Sequence, residues 1–88
     1  MLCAAWDRNE AQRITRAADK YVLERQPQGY YPTTEENRSL QELRTRRSVA
    51  HSRENMGALR EANNAVVVRT LGSYARHNAE VKGEELTE

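Results

Sequence analysis

Residues Arg53–Arg76 read RENMGALREANNAVVVRTLGSYAR, and the reading of this stretch decides the fold. It contains the densest apolar run of the chain, Ala65-Val66-Val67-Val68, and within it Met56, Leu59, Asn63, Val66 and Thr70 recur at steps of three and four. That rhythm is the a/d seam of a helix laid along another helix. Asn63 falls inside the seam, where a lone polar residue costs stability but pairs well with its own copy and so fixes register and oligomer state. A second stripe, Val67, Leu71 and Tyr74, lies on an adjoining face. A helix apolar over so much of its circumference is buried on two sides. The expectation is that its own chain covers one side and a second copy the other, with Met56, Leu59, Asn63, Val66 and Thr70 as the oligomer seam. Intramolecular core is the competing reading of the same spacing.

Composition points the same way. An 88-residue chain is one domain, and a domain of that size buries only about 60–65% of its unfolded surface. Its hydrophobic fraction is 38%, against roughly 45–50% in ordinary globular domains. A core so lean calls on oligomerisation, a metal or disulfides for support. The single cysteine, Cys3, excludes an internal disulfide and supplies no zinc set, which leaves self-association.

The net charge of +1 creates no global field of the kind that announces nucleic acid, but the charge is unevenly spread. Between Asn37 and Arg60 six arginines (38, 44, 46, 47, 53 and 60) face Glu42 and Glu54, while from His77 onward Glu80, Glu84, Glu85 and Glu88 face Lys82 alone. Twelve of the 14 basic residues are arginine. The planar guanidinium fork suits phosphate, carboxylate and interface ion pairs, and a GC-rich coding bias produces the same excess. No apolar run approaches the roughly 18 residues of a membrane span. The opening MLCAAWDRNE turns charged too early for a signal peptide. A cytoplasmic protein with a reduced Cys3 is therefore expected.

Along the chain the pattern predicts an all-α bundle of about three helices, 7–25, 34–62 and 64–78, within one domain (1–82) followed by a disordered acidic tail (83–88). Asp7 and Glu10 have capping-box spacing, and Ala11, Ile14, Ala18 and Tyr21 supply the first apolar stripe. Trp6 is placed to fold back on that first turn. QPQGYYP (26–32) breaks the helix with two prolines and a glycine. Thr33 through Glu36 is an S/T-x-x-E box that starts the second helix. Leu40, Leu43 and Ala50 share a face there, with Arg47 where the next large apolar residue should fall. A straight helix from 34 to 74 would switch its apolar face midway. The break points on offer are Ser48–Ser52, Gly57 and Asn63-Asn64, of which Asn63-Asn64 is preferred, with one merged helix as the rival.

No phosphate loop, HExxH, cysteine pair or acidic metal cluster is present in the sequence, and His51 and His77 stand far apart. Catalytic residues, metal ligands, cofactors and small-molecule substrates are therefore not expected. Two functional classes remain. The first is a non-enzymatic binding or regulatory protein, an accessory or phage-type inhibitor or adaptor by analogy of size and class, that contacts a protein partner through helical surfaces. Its expected contacts are Arg44, Arg46, Arg47, Arg53, Arg60, Arg69 and Arg76 with Tyr30 and Tyr31. The alternative is a helix-turn-helix DNA-binding regulator over residues 58–77, in which small residues at 58 and 62, then Val68 and Leu71, form the skeleton around a turn at Asn63-Asn64, and Arg69, Ser73, Arg76 and His77 point to phosphate or base edges.

Overall fold

Asp7, Thr33 and Asn55 each halt one run of backbone and open the next, and the computed structural model accordingly has three helices: α1 (Arg8–Glu24), α2 (Thr34–Ser52) and α3 (Met56–Thr87). Backbone is described from Ala5 to Thr87 and side chains from Ala5 to Gly83; Cys3 and the acidic side chains after Gly83 lie outside the described residues. Among the described residues there is no strand. The backbone of the expected tail from Gly83 continues α3 as far as Thr87.

The Asp7 carboxylate accepts from the Asn9 and Glu10 N–H groups at 3.0 and 3.2 Å, satisfying two of the free donors of the first turn. Glu10 does not reach back to close a box; its carboxylate instead takes Arg60 of α3 at 2.8 Å. After α1 the chain turns at Pro27–Tyr30, where the Tyr30 N–H donates to Pro27 O at 3.3 Å. Gly29 supplies the left-handed residue of that turn at φ 71°. Thr33 and Glu36 form the complete capping box, with the Thr33 N–H on Glu36 Oε1 at 2.8 Å and the Glu36 N–H on Thr33 Oγ1 at 3.1 Å.

The expected boundary between the second and third helices needs correction. α2 ends at Ser52 and the break falls on Arg53-Glu54-Asn55, so neither a helix to 62 nor one merged from 34 to 74 is present. The break is a Schellman turn: the Asn55 N–H reaches Ala50 O at 3.0 Å, the Glu54 N–H reaches His51 O at 3.1 Å, and Glu54 takes φ 54°. Asn55 then caps α3, its side-chain oxygen accepting from the Ala58 N–H at 3.1 Å. Asn63-Asn64 lies inside α3.

α3 is the spine. Its 32 residues extend over about 48 Å, and both shorter helices pack on it while touching each other only slightly. Contacts at Glu10–Arg60, Thr15–Asn63 and Val22–Tyr74 show α1 running parallel to α3. Glu36–Arg76 and Arg47–Asn63 show α2 running antiparallel. The core gathers at the end where Trp6, Ile14 and Ala58 close around Ala11, Ala50, Met56 and Leu59. Trp6 packs on this cluster and stands edge-on to His51 of α2, with ring centroids 5.1 Å apart, so it ties the start of α1 to the second helix as well as folding onto its own. At the other end α3 outruns its partners, and residues 78–83 are all exposed.

Candidate interaction surface

Met56, Leu59, Asn63, Val66 and Thr70, the expected oligomer seam, are all buried in the single chain, at 5, 0, 5, 1 and 6% exposure. The seam spacing is real, but α1 and α2 fill it, and that corrects its assignment as a surface for a second copy. Asn63 explains how. Its carboxamide donates to Thr15 Oγ1 of α1 at 3.1 Å and accepts from Arg47 Nη1 of α2 at 3.3 Å, while the same Nη1 reaches Asp19 at 2.8 Å. Arg47 breaks the apolar stripe of α2 because it is the cation at the centre of a polar bridge across three helices. Every member of the bridge has a partner, as a buried polar group requires.

Two more of the expected contact arginines are also consumed. Arg60 pairs with Glu10. Arg76 Nε donates to Glu36 Oε2 at 2.7 Å, Nη1 to Glu80 at 2.6 Å and Nη2 to Tyr31 O at 3.4 Å. Glu36 thus caps α2 with one oxygen and ties it to α3 with the other. The Arg76 guanidinium and then the Thr33 N–H hold its carboxyl down at about 2, and the same contact raises the Arg76 pKa. Tyr30 is half-buried against the edges of Tyr74 and His77, with centroids 4.9 and 5.8 Å apart. Tyr74 donates its hydroxyl to Val22 O at 2.9 Å, and burial raises its pKa. Of the expected tyrosine pair, only Tyr31, 81% exposed, faces solvent.

What remains open are Arg44, Arg46, Arg53 and Arg69, exposed and without a carboxylate partner among the described residues, and the outer face of α3. On that face Val68 is 62% exposed and Leu71 half-buried. A groove on one side of it is lined by Ile14, Ala17, Tyr21 and Val67. A second groove, on the α2 side, is lined by Leu43, Ala65, Val68 and Gly72. No protein-family profile, curated protein or solved structure matches this chain.

Two further features bear on what the surface can do. Residues 58–77 form one unbroken stretch of α3, so the turn that a helix-turn-helix needs is absent there, and Arg76, one of its expected duplex contacts, is bound within the bundle. Among the described residues no three or more His, Cys, Asp or Glu side chains come together as metal ligands would, and no helix is long and apolar enough to cross a membrane. The sequence signal that would have found the outer face is the run Ala62–Ser73, where Arg69 is the single charged residue; a helix needs only half of that run for an inner seam.

Proposed function

We propose that this chain is a non-enzymatic, cytoplasmic binding protein that works as a homodimer and acts by occupying another protein, as small accessory proteins and phage-type inhibitors or adaptors do. The observation that carries this reading is the centre of the outer face of α3, where Val68, Leu71 and Ala75 are left open by their own chain: Val68 stands 62% exposed two residues from the fully buried Val66. An exposed apolar strip of that kind marks a surface that a partner covers.

The second surface is the α2 flank. Arg44 and Arg53 line a shallow groove there with Val49, which is 43% exposed, and have no carboxylate partners among the described residues. Guanidinium groups around an apolar centre suit a carboxylate-bearing protein surface. Light scattering across a concentration series tests the homodimer, and a monomer at every concentration ends that part of the reading. Anisotropy titrations with a glutamate-rich peptide and with a random DNA duplex, at about 50 and 200 mM salt, test the partner class. Duplex binding that falls steeply with salt, with no peptide binding, replaces the protein partner with a nucleic acid.

A further inference from the structure

α3 carries two seams of identical spacing. The inner one, Met56, Leu59, Asn63, Val66, Thr70, is filled by its own chain. The outer one steps by three and four through Glu61, Asn64, Val68, Leu71, Ala75, Asn78 and Lys82, and each of these positions is exposed or half-buried. From the homodimer reading above, we infer that the outer seam is the dimer contact and that two copies of α3 meet there antiparallel, about a two-fold axis near Leu71 and Gly72.

The orientation follows from the order of residues in the seam. Read from either end it runs charge, amide, apolar centre, amide, charge, and the two end charges are opposite. Glu61 and Lys82 have no ion-pair partner among the described residues. They stand 21 positions apart, about 32 Å along the helix. A parallel pair would set Glu61 against Glu61 and Lys82 against Lys82. An antiparallel pair sets each Glu61 against the Lys82 of the other copy, twice, and places both apolar centres face to face. A surface complementary to itself under a two-fold is the requirement of an isologous dimer, and flanking charges of this kind select helix orientation.

Gly72, at the proposed axis, supports the same occupant. A Cβ placed there meets nothing within 4 Å in the single chain, so the chain itself gives no packing reason for a mid-helix glycine that costs about 1 kcal/mol relative to alanine. Close approach of a second backbone is such a reason. The α3 strip alone, about 32 Å by 10 Å, covers roughly 300 Å², short of the ~800 Å² per partner of a stable interface. The adjoining groove of Ile14, Ala17, Tyr21 and Val67 widens it on the α1 side.

The test is a charge exchange read by sedimentation equilibrium on the full chain, with far-UV circular dichroism to check that each variant keeps its helix content. Glu61→Lys and Lys82→Glu should each weaken the dimer about tenfold, since two attractive contacts become repulsive, and the double variant should return to within about threefold of the unaltered chain. Val68→Arg should abolish the dimer. In a Cys3→Ser background, Gly72→Cys should cross-link readily and Asn64→Cys should not, because the two copies of residue 64 lie roughly 22 Å apart in the antiparallel pair. A dimer lost with Val68→Arg but indifferent to charge exchange overturns the antiparallel register. A dimer that survives Val68→Arg overturns this face while the homodimer reading stands. A monomer throughout overturns both.

Discussion

The inner and outer seams of α3 have the same period on the same helix, yet the inner one buries Asn63 at 5% exposure and the outer one leaves Val68 at 62%. Hydrophobicity alone therefore does not say which face is inside. Asn63 is inside because Thr15 and Arg47 satisfy its carboxamide from two different helices. Val68 is outside because α1 and α2 are too few to surround a helix that is apolar on both sides. Two helices cover one side of α3, and the other faces solvent in the single chain.

The comparison breaks most severely at Leu59, fully buried in the inner seam. Leu59→Ala should cost about 3 kcal/mol or more in a urea melt, whereas Val68→Ser on the outer seam should change the stability of the monomer by less than about 0.5 kcal/mol. Equal losses would mean that both faces are packed in the isolated chain. Asn63→Leu comes next and its sign is informative. Within the bundle it leaves Arg47 and Thr15 short of a partner and should destabilise by about 1–3 kcal/mol. A gain in stability would restore Asn63 to an intermolecular seam.

Glu36→Gln should cost on the order of 1–2 kcal/mol at neutral pH, by weakening the bond to Arg76. It also has a pH signature. A carboxyl held at about 2 in the fold and near 4.5 when free contributes stability that is complete above about 4.5 and is lost as pH falls toward 2. The Gln variant should show a flatter stability profile across that interval, and an unchanged profile would remove the ion pair from the account. Gly72→Ala should have a small effect on the monomer, and of opposite sign, a gain of about 0.5–1 kcal/mol from helix propensity. The same change should loosen the dimer if two backbones meet at that position, so thermal melts at low and high concentration should shift in opposite directions.

What could be read from the sequence was local. The Thr33–Glu36 box, the Asp7 cap and the proline loop are each complete within a few residues, and each stands where expected. The break at 53–55 was not legible because Glu54 adopts a left-handed conformation that a glycine normally occupies, held there by hydrogen bonds to Ala50 and His51 from its own turn. Arg47 looked like a free cation because its acid Asp19 is 28 residues away in sequence, and of the two acids of Arg76 only Glu80 is near in sequence while Glu36 is 40 residues away. The seam spacing identified which residues of α3 are buried but not by what, since period reports a covered face and not the identity of the cover. Tyr30 was expected as a contact residue beside Tyr31, and only its tertiary neighbours Tyr74 and His77 show that its ring is half-buried.

The parallel alignment of α1 with α3 has a consequence for how the chain is made. The bonds joining α1 to α3 connect residues 48, 50 and 52 apart, whereas α2 and α3 adjoin through a turn of three residues. A growing chain that has exposed only α1 gives its apolar stripe nothing to pack on until the ribosome has delivered α3. The hairpin of α2 and α3 closes a short loop, which is fast, and α1 docks onto it across a long one, which is slower. The loop lengths therefore predict that α1, first in the order of synthesis, docks last in the order of assembly.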